Sequence, residues 1–254
     1  MKVVILAAGE GSRLRPYTQI APKCLVKINT KSTLEIQLEL FKERGVYTIL
    51  IGGYLYEQLI NKSDILIVNS KYSSTNMLYT FFLAATYFDD DIIVSYGDIA
   101  YTKTIFDKIV NSTAPISVAV DTEWEEYWDR RSENPLDDLE TMKISGDLIL
   151  SLGEKPVSKL DINGQYMGLI KFSKDSIKYC IDLYEQCRIS GLINGKDFEK
   201  AYFTDFLQEI INSNYNITAV FNNDPWIEID TVDDLINPIT IQRVNKIQLI
   251  NEKL

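Results

Sequence analysis

The sequence predicts an α/β fold, a mostly parallel mixed sheet flanked by helices and carrying a small inserted hairpin. Three observations lead there. Apolar runs of strand length alternate with helix-period segments through the first half of the chain, the pattern of strand–helix–strand crossovers. The first run ends directly on a glycine-rich loop. The 254 residues are 46% apolar and contain no repeat, low-complexity stretch or Pro/Gly linker, which suits one core with appended elements.

Lys2 to Ala8 is continuously apolar and reads as a strand buried on both faces. Ser32 to Arg44 reads as a helix with a capping box of Ser32 and Glu35 and a stop at Gly45. Residues 46–52 and 64–69 are the next strands, 75–88 a helix, and 92–96 a buried strand ending at Gly97-Asp98. Another strand follows at 115–121. Residues 141–145 and 148–153 flank Gly146-Asp147 and predict the hairpin. A strand is expected at 165–172, helices at 175–189 and 198–211, short strands at 217–221 and 226–229, and a helical turn at 232–236.

Composition removes several kinds of chemistry. The net charge is −10, which disfavours bulk attraction to nucleic acid polymers or anionic membrane. No run reaches the roughly 20 apolar residues of a membrane helix, and no signal peptide is expected. Three cysteines, Cys24, Cys180 and Cys187, form no disulfide or zinc spacing, so a reducing, cytoplasmic setting is expected. The chain has no histidine. That excludes Ser-His-Asp and Cys-His catalysis and an imidazole base.

The loop Leu6-Ala7-Ala8-Gly9-Glu10-Gly11-Ser12-Arg13-Leu14-Arg15-Pro16 combines small residues with two arginines. Such backbone lets amides approach an anion with no Cβ in the way. The glycines alone read equally as a plain tight turn. Neither the dinucleotide fingerprint nor the Walker A loop fits the spacing. Asp98 follows a buried strand, where α/β sheets place ligands. Asp230 follows a short strand in Glu228-Ile229-Asp230. Each aspartate also has a bland reading, a turn residue for Asp98 and a helix N-cap for Asp230.

Leu6-Ala-Ala-Gly-x-Gly-Ser-Arg-Leu-x-Pro, followed by Thr18 and Pro22-Lys23, resembles the nucleotidyltransferase superfamily that activates sugar phosphates and phosphocholine. The resemblance is strongest over residues 3–28. It recurs at Gly52-Gly53-Tyr54, 69–79, Tyr96-Gly97-Asp98, Gly153-Glu154-Lys155-Pro156 and Ile227 to Asp230. It implies a single Rossmann-like domain over 1–254, with a nucleotide-binding half at about 1–121 and an acceptor-binding and C-terminal part at about 122–254. Short length and the Asn76 segment make the chain most similar to bacterial cytidylyltransferases acting on phosphocholine and related small phosphates or phosphonates, glutamine phosphate for capsule building among them.

That resemblance implies CMP transfer from CTP to a small phosphorylated acceptor, with Mg²⁺ as cofactor on Asp98 and Asp230. It implies Arg13 and Lys23 as catalytic cations, and nucleotide contacts from Leu6, Ala7, Ala8, Gly9, Gly11, Ser12, Arg13, Gly53, Tyr54 and Asn76. An acceptor phosphate is already ionised near neutral pH, so positioning and electrostatics suffice without a base. Either a monomer or a dimer is compatible with this.

For the acceptor, the segment from Trp124 to Asp138 is expected to contribute Trp124, Trp128 and Asp137, and the Glu-Lys-Pro motif Glu154 and Lys155. Aromatic faces beside carboxylates suit an ammonium. The competing reading of Trp124 and Trp128, four residues apart, is an apolar helix face turned to the core. Two rival functions are a sugar-1-phosphate uridylyl- or thymidylyltransferase, and a nucleotide-sensing domain without catalysis.

Overall fold

A computed structural model describes residues 1–252. Lys2–Ala7 lies parallel between Tyr47–Gly52 and Ile92–Tyr96. Ile65–Val68 extends this parallel group beyond Tyr47–Gly52. Val3, Val4 and Ile5 are fully buried, as the unbroken apolar run requires. The sheet continues past Ile92–Tyr96 through Gln165–Phe172, Ile116–Asp121, Thr218–Asn222, Leu148–Leu152 and Met142–Ser145, nine strands among the described residues.

Gln165–Phe172 runs antiparallel to both its neighbours. It therefore separates Ile92–Tyr96 from Ile116–Asp121, and the second half of the chain supplies a central strand of the sheet. A division near residue 121 marks no boundary in space. The predicted hairpin forms from Met142–Ser145 and Leu148–Leu152 around Gly146 at φ +61°. It is the edge of the main sheet.

The helix Thr33–Glu43 carries the capping box read from the sequence: the Glu35 amide donates to Ser32 Oγ, and the Ser32 amide to Glu35 Oε2 at 2.8 Å. The predicted 75–88 helix is shorter, Met77–Phe82. The chain then tightens into a 3-10 turn at Ala85–Tyr87, and Phe88 stacks on Phe81 at 4.7 Å between ring centroids. The helix expected from 198 begins at Phe203. A small hairpin, Leu192–Ile193 with Lys196–Asp197, uses the preceding residues. A final helix, Pro238–Glu252, which the patterns did not single out, buries Val244 and Ile247. Among the described residues no helix is long and apolar enough to cross a membrane.

Candidate active site

The first strand ends in the floor of a cleft of about 380 Å³. Leu6, Ala7, Ala8, Gly9, Gly11, Ser12 and Arg13 line it, facing Lys23, Asn76, Asp98, Glu228 and Asp230. Gly11 is left-handed at φ +61°, and a Cβ there would lie 2.9 Å from Lys23 Cβ. The glycine thus permits both the turn and the close seating of the lysine stem. Thr18 Oγ1 donates to the Gly11 carbonyl at 2.9 Å and holds the turn from below.

Asp98 sits in the tight turn between Ile92–Tyr96 and the short strand Ile99–Tyr101. The helix Thr33–Glu43 fixes that turn. Buried Gln37 donates to the Tyr96 and Ile99 carbonyls, and Thr33 Oγ1 to the Gly97 carbonyl at 2.7 Å. With the turn braced by these side chains, the Asp98 carboxylate points at Lys23, whose ammonium donates to Asp98 Oδ2 at 2.7 Å. The same ammonium donates to Asp230 Oδ1, and Arg13 reaches Asp230 Oδ2 at 2.7 Å.

Asp230 is not the helix N-cap. Thr231 fills that role for Val232–Ile236, so the Asp230 carboxylate is left for the cleft. Burial by itself would raise the pKa of Asp230. Lys23, then Arg13 and Arg131, outweigh it and hold the carboxyl below its ordinary value. Burial likewise opposes the charge of Lys23, but Asp98 and Asp230 keep its pKa above the ordinary lysine range. Glu228 joins the two aspartates: one oxygen from each of Asp98, Glu228 and Asp230 lies within 4.8 Å of the others. Asp98 Oδ1 is buried with no hydrogen-bond partner among the described residues. Three convergent carboxylates with a spare buried oxygen fit a hard divalent cation.

Arg131 braces this carboxylate strand from behind. Its side chain is 3% exposed. It forks onto Asp234, Nε to Oδ1 at 2.7 Å and Nη2 to Oδ2 at 3.2 Å, and its Nη1 lies 3.5 Å from Glu228 and 3.2 Å from Asp138. Asp234 in turn accepts from the amides of Asp230 and Thr231, both at 2.8 Å. One buried guanidinium therefore ties the Glu228–Asp230 backbone to the helix Trp124–Arg131. Burial, reinforced by Asp230 and Asp98 and opposed by Arg131, pushes the Glu228 carboxyl well above its ordinary pKa.

Several expected contacts fall elsewhere. Gly53 and Tyr54 do not line the cleft. A Cβ on Gly53 would lie 2.6 Å from the Ala8 carbonyl oxygen, and the Tyr54 amide donates to that same oxygen at 3.0 Å. They pack behind the loop and set its path. Asn76 does line the cleft. Its Oδ1 caps Met77–Phe82 through the Tyr79 amide, while its buried Nδ2 has no partner among the described residues.

The acceptor set needs the largest correction. Trp124 and Trp128 are 3% and 1% exposed. Trp128 packs on Trp226 at 5.7 Å between ring centroids and carries the Arg131 guanidinium over its ring. They are the core face of an amphipathic helix, because burying two indoles and Tyr127 is worth more than presenting them to solvent. Asp137 and Lys155 are exposed and lie 3.5 Å apart. Glu154 is exposed, with its amide bound to Thr141 Oγ1. None of these five lines the cleft or the chamber that adjoins it.

That chamber, about 150 Å³, opens beside the cleft and shares Met77, Tyr96 and Glu228 with it. Asp138, Glu140, Tyr166 and Thr204 also line it. Tyr166 donates to Tyr96 Oη at 3.1 Å, and Thr204 Oγ1 donates to Glu140 at 3.2 Å. Burial pushes the Glu140 carboxyl up to about 7. Sequence reading passed over Glu140 and Tyr166, and gave Tyr96 only a place in the Tyr96-Gly97-Asp98 motif, because the strands and loops that bring them together are far apart in the chain. The Glu228 carboxylate had a signal, its place at the end of the short strand Trp226–Glu228, two residues before Asp230.

A glycine-rich strand-end loop with Arg13 and Lys23, facing three convergent carboxylates across a cleft, is an arrangement that fits a nucleotidyltransferase. Residues 3–150 match the MobA-like NTP transferase domain family, and the chain belongs to that family. It is 39% identical over 247 residues to a CTP:phosphoglutamine cytidylyltransferase of Campylobacter jejuni, covering 92% of this chain and 98% of that one. A choline-phosphate cytidylyltransferase of Streptococcus pneumoniae is 36% identical over 118 residues, 44% of this chain and 52% of that protein. Among solved structures, the inositol-1-phosphate CTP transferase from T. maritima superposes with a TM-score of 0.75 at 19% identity, covering 97% of this chain and 96% of that one, and shares the fold.

Proposed function

We propose that this nucleotidyltransferase moves CMP from CTP onto a small phosphorylated acceptor bearing an ammonium group, with glutamine phosphate the leading candidate. The near full-length identity to the phosphoglutamine enzyme carries this reading. The acidic and aromatic chamber next to the phosphate loop supports it: Asp138, Glu140 and Glu228 beside Tyr96 and Tyr166 suit an ammonium. Asp98, Glu228 and Asp230 are the residues to hold Mg²⁺, which when bound supplies charge stabilisation to the phosphates. On this reading the reaction runs in the cytoplasm, in the service of capsule or surface-glycan decoration.

The acceptor phosphate oxygen forms a bond to the α-phosphorus of CTP, and the bond from that phosphorus to the pyrophosphate oxygen breaks. No proton needs to be taken from the nucleophile, which agrees with a chain lacking histidine. Ser12 and the loop amides bind phosphate, Arg13 neutralises the leaving pyrophosphate, and Lys23 stabilises charge at the reacting centre. The free Asn76 Nδ2 is a donor for the base edge.

Pyrophosphate release is the direct test. Each of the four nucleoside triphosphates is offered with glutamine phosphate, phosphocholine, 2-aminoethylphosphonate or glucose 1-phosphate. Release is expected with CTP and an amine-bearing acceptor. Preference for UTP or dTTP with glucose 1-phosphate would move the chain to the sugar branch, and no release with any pair would make it a sensor. In the active combination, Lys23→Ala should lower kcat by about 10²–10³-fold, the range for losing one preorganised charge or donor. Its KM for CTP should change far less. An unchanged kcat with a raised KM would reduce Lys23 to a binding residue.

A further inference from the structure

The place between Asp98 and Asp230 is filled by a side chain of the protein itself. Lys23 Nζ donates to Asp98 Oδ2 at 2.7 Å and to Asp230 Oδ1, and the lysine side chain is only 17% exposed. Arg13 takes the other oxygen of Asp230. A Mg²⁺-sized ion binds oxygen at about 2.0–2.1 Å, and although Asp98 Oδ1 is open, both oxygens of Asp230 are already held by Lys23 and Arg13, so an ion bridging the two aspartates competes with that ammonium. An ammonium and a divalent cation that close repel strongly and cannot share those oxygens. Cation entry therefore requires Lys23 to leave. The lysine stem lies along the phosphate loop: a Cβ on Gly11 would be 2.9 Å from Lys23 Cβ and 3.3 Å from Cδ. The anion within its reach when it leaves is a phosphate seated on that loop.

We infer that Lys23 is the internal counter-ion of Asp98 and Asp230 before nucleotide binds, and that nucleotide phosphate opens the metal site by drawing its ammonium away. Metal loading and nucleotide binding are thereby coupled through one side chain, and linkage makes the coupling reciprocal. This rests on the reading that Asp98, Glu228 and Asp230 hold a divalent cation. Glu228 has no contact with Lys23 and stays in place as the fixed wall of the site. The coupling keeps a free divalent ion from occupying the carboxylates before nucleotide arrives. It also gives Lys23 two successive partners, carboxylate first and phosphate second.

The test measures metal affinity, independent of turnover. Mn²⁺ binding to the full-length, nucleotide-free protein is followed by electron paramagnetic resonance of the free ion. Lys23→Met is expected to bind Mn²⁺ at least about tenfold more tightly than wild type, within the usual range of coupling between sites. Asp98→Asn in the Lys23→Met background should abolish the gain. Saturating CMP, itself a weak Mn²⁺ ligand, should tighten Mn²⁺ binding more in wild type than in Lys23→Met. Equal or weaker Mn²⁺ binding in a Lys23→Met protein with native circular dichroism overturns the inference, as does equal tightening by CMP in both proteins. Lys23→Gln serves in the same way if the methionine variant does not fold. A protein that holds no Mn²⁺ in any of these states, with or without CMP, sinks the metal assignment itself and is distinguishable from both.

Discussion

Asp98→Asn and Asp230→Asn are each expected to lower turnover by about 10³-fold or more while the fold persists. Both carboxylates line the same cleft as the glycine-rich loop. The proposed metal contributes several kcal/mol of transition-state charge stabilisation. About 1.4 kcal/mol corresponds to a factor of ten in rate, so losing about 4 kcal/mol gives about three orders of magnitude. The amide is isosteric with the carboxylate but offers a weaker, neutral oxygen. Asp230→Asn also removes the charge that holds Arg13. Turnover is read by pyrophosphate release over a range of Mg²⁺ concentrations, and folding by circular dichroism and thermal melting. A wild-type rate in either folded variant at saturating Mg²⁺ would remove that residue from the reaction.

The second large effect is on stability. Arg131→Met should destabilise the protein by about 3–5 kcal/mol, the cost of breaking a buried ion pair from one side. The guanidinium is 3% exposed and faces Asp234, Glu228 and Asp138. Without it, Asp234 is buried beside other acids with no cation in reach. Methionine replaces the apolar stem against Trp128 and Tyr127 but not the fork. Arg131→Lys restores the charge without the bidentate geometry and should recover only part of the loss. The urea midpoint should fall at unchanged slope, and Asp234→Asn combined with Arg131→Met should cost less than the sum of the two. A loss below about 1 kcal/mol would mean that the network contributes little beyond the packing of its aromatic neighbours.

The contrast between these two sites marks how far the chain could be read without its fold. The glycine-rich loop, Lys23, Asp98 and Asp230, which the structure brings to one cleft, could be picked out because each sits in a contiguous run whose backbone geometry is local. Strand Lys2–Ala7 delivers the loop and Ile92–Tyr96 delivers Asp98 at one end of the main sheet, while Trp226–Glu228, paired with Ile99–Tyr101 in a separate two-stranded sheet, brings Asp230 to the same cleft. The capping box at Ser32 and the hairpin at Gly146 were legible for the same reason.

The helix Trp124–Arg131 was legible as a helix but not in its orientation. Its aromatic face satisfies either a ligand or a core, and spacing alone leaves both open. Tertiary packing decided it, because Trp226 and Tyr127 supply a dry surface for Trp128. The chamber beside the cleft depended even more on the fold. Gln165–Phe172 enters the sheet between strands that precede it in the chain, and only that insertion sets Tyr166 against Tyr96 and near Glu140. The sequence by itself determined most element types, the glycine-rich loop after the first strand and the aspartates that follow strands, since these depend on neighbours within a few residues. The tertiary structure alone decided which aromatics are core, which carboxylates meet, and that Lys23 rests between two of them. Those outcomes depend on long-range strand order and on balancing buried charge between distant segments, as for Lys23 and Asp98, 75 residues apart.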